Sequence, residues 1–432
     1  MDSHLLFSGW GAFNSGLIKQ NKYSLPFRKF VNDSMGARYR CWNSARILEV
    51  ELTTRCGNNC PYCGNSSGDA NGTGEGNING TDLPFEELKR IIQGSIDAGS
   101  PPDQISLAGG DPFLHPHFRE IVSYIGERKI PLQIKANTST FTESMGIHLR
   151  ESGCRVVKFT LFGGAGHHDG NRGSDTFDSL LEKSRLAVEQ GFMVIWNLTI
   201  GAGMLDDALE TLPMALQYGV SGVTLARLAP IGRNIGMDRI HGKDENSGVI
   251  TPAEYRDFLL KLLKFQMDVL PSGFQIFFKE KLWLPLLVEE GLIDLPTLRS
   301  SVKCSGSDSA GDAVSSSICD SVGESVCESV GEKAEGYSSQ PCFGCEAYGV
   351  SLALTPEGDI LPCGLMRTVN MGNIRDFDQF PWSISRDYLD FKGPKSCSGC
   401  EFLALCRGCR GAAMGTSLDQ HAPDPQCWVA QR

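Results

Sequence analysis

Between residue 46 and about residue 290, six short apolar runs alternate with amphipathic stretches at helical spacing, and no other feature limits the fold as tightly. The runs are 47–52 (ILEVEL), 104–108 (QISLA), 131–136 (PLQIKA), 155–161 (RVVKFTL), 193–199 (MVIWNLT) and 222–228 (GVTLARL). Between them lie 82–98, 117–128, 142–152, 176–190 and 205–218, and a longer stretch, 252–270, follows the last run. Short strands separated by helices of this length imply βαβ units and a parallel sheet. Six such units suffice for a partial, open barrel. Gly99, Gly153, Gly191 and Gly219 fall at or just past helix ends, where a left-handed cap is needed.

The remainder divides by composition. Residues 1–45 show no clear period and read as an N-terminal extension; 46–290 is the barrel. Residues 291–340 are a linker or insertion whose Ser, Gly and acidic residues include an imperfect duplication, CDSVGESV from 319 and CESVGEKA from 327. Such sequence buries no core. Residues 341–432 form a cysteine-rich C-terminal domain. A net charge of -11 argues against a nucleic-acid or acidic-membrane partner, since no large basic surface is implied. The start, MDSHLLFSGWGAF, lacks the basic and apolar regions of a secretory signal, and no apolar run reaches the ~18 residues of a membrane span. A cytoplasmic location is expected.

In that reducing compartment, close-set cysteines point to metal before disulfide. Eleven of the 16 cysteines fall in two groups, 56–63 and 342–427. Cys41 and Cys154 stand alone and read as buried small hydrophobes; Cys304, Cys319 and Cys327 lie in the low-complexity segment and read as incidental.

The first group, LTTRCGNNCPYCGNS, places Cys56, Cys60 and Cys63 as C-x3-C-x2-C directly after the first strand. Three thiolates within eight residues can wrap one side of a four-iron cluster and leave one iron open. A structural zinc site asks for four protein ligands, and no fourth Cys or His lies nearby to close the shell. The triplet, with Tyr62 before its last cysteine, resembles the signature of the radical S-adenosylmethionine (SAM) superfamily, C-x3-C-x-aromatic-C after strand one of a partial (β/α)6 barrel. After the second strand comes AGGDPFLHP, whose Gly109, Gly110, Asp111 and Pro112 resemble that family's GGEP motif, with Asp in place of Glu. KANTS (135–139), TLFGG (160–164) with the following HHDGNRGSDTFD, Asn197 and LAPIGRN (228–234) resemble further strand-end motifs.

The resemblance implies a fold, cofactors and contacts. The fold is α/β, a partial (β/α)6 barrel of the radical SAM type. The cofactors are SAM and a [4Fe-4S] cluster with an open iron on Cys56, Cys60 and Cys63. Gly109, Gly110, Asp111, Asn137, Thr160, Asn197 and Arg227 are the implied SAM contacts. His167 and His168 read either as acid/base groups or as part of a loop beside SAM.

The second group spreads over Cys345, Cys363, then Cys397-x2-Cys400-x5-Cys406-x2-Cys409, and Cys427, with Cys342 upstream. VSLALTPEGDILPC reads as a hairpin around a Pro-Glu-Gly-Asp turn. The pattern resembles the SPASM domain of radical SAM enzymes, with x2 where x3 is usual before Cys409. By resemblance, Cys397, Cys400, Cys406 and Cys427 hold an outer auxiliary [4Fe-4S] cluster. Cys345, Cys363, Cys409 and Cys342 hold an inner one.

The function implied is reductive cleavage of SAM and hydrogen abstraction from a peptide or protein, with crosslink formation as one outcome. The same build acting on a small molecule (a tetrapyrrole precursor, sugar or amino acid) is a second reading. A non-enzymatic iron–sulfur electron carrier is a third, although such a carrier has no use for a SAM cradle. A reductase such as flavodoxin or ferredoxin is the implied electron donor. The residues themselves single out no catalytic side chain.

Overall fold

The computed structural model describes residues 46–68, 80–234, 248–268, 274–291, 294–296, 345, 347, 351–382, 394–403 and 406–430. Seven strands follow the chain in parallel: β1 (Ile47–Glu51), β2 (Gln104–Ala108), β3 (Leu132–Ala136), β4 (Val156–Phe162), β5 (Met193–Ile200), β6 (Gly222–Arg227) and β7 (Gln275–Phe278). The helices are α1 (Phe85–Asp97), α2 (Phe118–Glu127), α3 (Glu143–Glu151), α4 (Ala165–Arg172), α5 (Thr176–Glu189), α6 (Leu205–Gln217), α7 (Pro252–Asp268), α8 (Trp283–Glu289) and α9 (Arg410–Ser417). All six expected strands are present, and the four helix-end glycines carry positive φ, from +67° at Gly99 to +87° at Gly153. The sheet order, β7-β6-β5-β4-β3-β2-β1-β8-β9, is unclosed, as in a partial barrel.

Period-two alternation explains the layering. Leu48 and Val50 of β1, Ile105 and Leu107 of β2, and Val157, Phe159 and Leu161 of β4 join one apolar core with Leu88, Ile91 and Ile121 of the helices. Their alternates, Glu49, Glu51, Ser106, Gln133, Lys135, Lys158, Thr160 and Asn197, face the concave side. In a barrel this is the lumen, and active-site loops gather at the C-terminal strand ends above it.

Three features exceed the sequence reading. β7 adds a seventh strand at the β6 edge. Helix α4 forms within the HHDGNRG run. The C-terminal hairpin does form, β8 (Ser351–Leu354) against β9 (Ile360–Leu361), yet β8 also pairs in parallel with β1, so the cysteine-rich region extends the barrel sheet. No described helix is long and apolar enough to cross a membrane.

Candidate active site

The loop after β1 carries the triplet to the C-terminal end of the sheet. Cys56 and Cys60 are buried and Cys63 is half-buried. Burial pushes the Cys56 and Cys60 thiols up from their usual pKa. The sulfurs are ringed by donors: Cys56 Sγ accepts from the Asn58 amide at 3.5 Å and from Asn137 Nδ2 at 3.3 Å, and Cys63 Sγ accepts from the Ser67 amide at 3.3 Å. Donors aimed at sulfur stabilise thiolates and the clusters they hold.

The GGDP loop is pressed against this segment. Gly110 N–H donates to Thr53 O and Asp111 N–H to Arg55 O, both at 2.7 Å. Asn65 Nδ2 donates to Gly109 O at 3.1 Å. A Cβ on Gly110 would stand 2.2 Å from Arg55 O, and one on Gly109, where φ is +137°, 2.6 Å from Thr53 O. Only glycine allows so close an approach. Asp111 is fully buried, accepting from Phe113 N–H at 3.2 Å and Thr140 Oγ1 at 2.5 Å. Its carboxylate therefore braces the turn.

Asn137, at the end of β3, joins Cys56 to Arg172, whose guanidinium donates to Asn137 Oδ1. Arg172 lies at the end of α4, and its carbonyl accepts from Asn58 Nδ2 at 3.1 Å. Arg233 donates through Nε to Cys60 O at 2.9 Å, while its buried Nη1 and Nη2 have no partner among the described residues. Two orphaned cationic donors beside a cysteine triplet fit an anionic group held there. Neither arginine stood out in the sequence, although both lie inside motifs quoted above. Thr160 and Asn197 are neighbours in register on the lumen face. Arg227, at the C-terminal end of β6, pairs with Asp424 and Gln426, and its side chain is only 5% exposed. Tyr62 stacks on Phe162, ring centroids 6.4 Å apart.

The histidines separate. Phe162 N–H donates to His168 Nδ1 at 3.3 Å, and burial pushes that imidazole down to about 4, so it is a neutral acceptor holding the β4 end. His167 Nδ1 meets Asp207 Oδ2 at 2.7 Å.

In the C-terminal region, Cys397, Cys400, Cys406 and Cys427 line one small cavity, with Pro285, Phe402 and Asp424. These are the four cysteines the resemblance assigns to the outer cluster. Cys345, Cys363 and Cys409 form a second group: burial and their mutual charges push Cys363 and Cys409 up to about 12. Cys342, Cys41, Cys304, Cys319 and Cys327 lie outside the described residues. Cys154 is fully buried, its thiol pushed up to about 12 by burial. Among the described residues no three His, Cys, Asp or Glu side chains close on one point as the shell of a single ion would. A multi-iron cluster fills a larger space between its thiolates.

Comparison with known proteins agrees with this geometry. Residues 50–218 match the radical SAM superfamily. This chain carries a radical SAM domain. That domain takes SAM and a [4Fe-4S] cluster. The chain is 22% identical over 390 residues to the mycofactocin maturase MftC of Mycobacterium tuberculosis, covering 88% of this chain and 82% of that one. The Mycobacterium ulcerans MftC is 23% identical over 396 residues, covering 88% and 87%. Among solved structures, Streptococcus suis SuiB bound to precursor peptide SuiA superposes with a TM-score of 0.56 at 14% identity, covering 89% of this chain and 76% of that one. Native anSMEcpe with bound AdoMet and Cp18Cys peptide gives a TM-score of 0.57 at 16% identity, covering 89% and 95%.

Proposed function

We propose that the enzyme modifies a peptide or protein, abstracting hydrogen from an unactivated C–H bond and directing the product toward a crosslink. The observation that carries this reading is the cysteine triplet packed against the GGDP loop at the C-terminal end of the sheet, in a chain built along its length like structures solved with peptides bound. When bound, the reduced cluster and SAM together supply a 5′-deoxyadenosyl radical. The residues do the positioning. Cys56, Cys60 and Cys63 hold the cluster; Gly109 and Gly110 let the second-strand loop approach it; the free Arg233 donors take a carboxylate such as that of SAM. Asn137 and Arg172 fix Cys56, and Thr160 and Asn197 present polar groups to the ligand from the lumen wall. Val156, Ile195 and Phe277 pack as a small apolar cluster apart from the main core.

Two auxiliary [4Fe-4S] clusters belong to the same reading. Cys397, Cys400, Cys406 and Cys427 hold the outer one, and Cys345, Cys363 and Cys409, with Cys342, hold the inner one. When bound there, such clusters would supply a path for electrons to or from the substrate. A flavodoxin or ferredoxin reductase supplies the first electron, and the enzyme works in the cytoplasm. The test is incubation of the anaerobically reconstituted enzyme with SAM, reductant and short peptides encoded beside its gene, read by mass spectrometry. Loss of hydrogen from a peptide supports the reading. Unchanged peptides alongside consumption of a small metabolite would replace it with the small-molecule reading.

A further inference from the structure

Cys406 and Cys409 belong to different cysteine groups, yet only Arg407 and Gly408 separate them. Both intervening residues are left-handed, at φ +56° and +60°, so the chain folds back sharply there. The turn is pressed against Asp424: a Cβ on Gly408 would stand 2.8 Å from Asp424 Cβ. Glycine alone permits that approach.

Asp424 touches both groups. On the inner side its Oδ2 accepts the Cys409 N–H at 2.7 Å. On the outer side its carbonyl accepts the Cys427 N–H at 3.0 Å, and the residue lines the cavity shared by Cys397, Cys400, Cys406 and Cys427. Its Oδ1 accepts the N–H of Gln426, the residue before Cys427, at 3.0 Å. Arg227 is the opposite partner, donating from Nη1 to Oδ1 and from Nη2 to Oδ2 at 2.8 and 2.9 Å. Arg227 Nη1 also donates to Gln426 Oε1 at 2.6 Å, and its guanidinium lies over the Tyr255 ring, 5.0 Å from the centroid. Tyr255 in turn donates to Glu280, which also accepts the Leu282 N–H. Asp424, and not Arg227, borders the cavity, so the pair presents its negative end to the cysteines.

Burial makes that orientation count, because a charge out of water acts on its neighbours far more strongly than a solvated one. The potential of an iron–sulfur cluster responds to nearby charge and hydrogen bonding. A carboxylate beside a cluster favours its oxidised form, and a guanidinium behind the carboxylate moderates the effect. One carboxylate bordering two cysteine groups acts on both.

We infer that the Arg227–Asp424 pair sets the reduction potentials of the inner and outer auxiliary clusters together, keeping them in step for electron exchange in either direction. This rests on the two auxiliary clusters of the reading above. Arg227 and Asp424 are positioning residues: they act through space and through Cys409, and neither is a ligand.

The test is a redox titration of the anaerobically reconstituted holoenzyme, followed by electron paramagnetic resonance with iron counted alongside. Cys60→Ala, Cys400→Ala and Cys363→Ala backgrounds assign the triplet, outer and inner signals. Asp424→Asn keeps the shape of the side chain and removes its charge. Both auxiliary clusters should then become at least tenfold easier to reduce, ~59 mV for one electron. Arg227→Gln should shift both the opposite way, because the Cys409 and Gln426 N–H groups keep the Asp424 carboxylate ionised. Arg227→Lys should stay near the parent values. The triplet's cluster should hold its potential throughout, its cysteines being anchored by Asn58, Asn137 and Ser67 instead. Loosened packing alone would not give shifts of opposite sign. Where one variant loses auxiliary iron, the sign in the other decides. A shift in one auxiliary cluster only, shifts of one sign in both variants, no shift, or loss of auxiliary iron from both variants overturns the inference. About four irons in the parent, with the triplet's signal alone, overturns the auxiliary clusters themselves. A full complement of iron with unmoved potentials overturns only the coupling.

Discussion

Arg227, at the end of β6, grips both carboxylate oxygens of Asp424, at 2.8 and 2.9 Å, from 197 residues away in sequence. Asp424 Oδ2 also accepts the Cys409 N–H at 2.7 Å. The sixth strand of the sheet is thereby tied to a cysteine of the inner group. The two side chains are only 5% and 1% exposed, so neither charge has water as an alternative partner.

Removing one partner strands the other charge. Asp424→Ala should cost about 3–5 kcal/mol of stability, and the double change Arg227→Met with Asp424→Leu should restore much of it. Anaerobic urea denaturation of the iron-loaded variants measures both. A loss below about 1 kcal/mol for Asp424→Ala would show that the pair does not hold the junction.

The two glycines of the second-strand loop are constrained by backbone oxygens. Gly110→Ala, with its Cβ 2.2 Å from Arg55 O, must push the loop off the triplet segment. The expected result is a folded protein whose affinity for SAM falls at least ~10-fold, a loss of about 1.4 kcal/mol, measured by equilibrium binding. Unchanged affinity would contradict the close packing.

Glu49 and Glu51 give stability opposite dependences on pH. Burial, opposed by Arg367, pushes Glu51 up to about 7, against an ordinary value of 4.5. The fold therefore holds its proton more tightly than the unfolded chain does, a contribution complete below about pH 4.5 and lost as pH rises through about 7. Glu49, lowered to about 2, contributes above about 4.5 and loses that contribution as pH falls toward 2. Glu51→Gln should flatten the alkaline limb of the stability profile and leave the acid limb intact, as read from urea midpoints across that range. An unflattened alkaline limb would remove Glu51 from the account.

Iron content separates ligand from core cysteines. About twelve irons per chain are expected from three four-iron clusters. Cys400→Ala should lower that by about four and Cys154→Ala should leave it unchanged, by iron assay after anaerobic reconstitution. Equal iron in Cys400→Ala and the parent would exclude an outer cluster at that cavity.

The strand-helix alternation and the cysteine spacing were legible because both are local patterns: β1 to β6 and the triplet follow from residues within a few positions of each other. Pairing of distant segments leaves no such mark. Nothing in SLAL at 351–354 announces that it lies beside β1, because a short apolar run fits any open sheet edge. The Arg227–Asp424 pair left no mark for the same reason, since the two residues lie far apart along the chain. Arg172 and Arg233 sat inside recognised motifs, yet only the fold shows that one reaches Asn137 beside Cys56 and the other Cys60. β7, four residues long, is too short to assert a period.

The central claim is that Cys56, Cys60 and Cys63 hold a cluster that cleaves SAM. The anaerobically reconstituted enzyme, given SAM and dithionite and analysed by liquid chromatography and mass spectrometry, should release 5′-deoxyadenosine. Cys60→Ala should release none. Absence of 5′-deoxyadenosine from the parent enzyme, with peptides and small molecules supplied, or equal release from Cys60→Ala, would contradict the account.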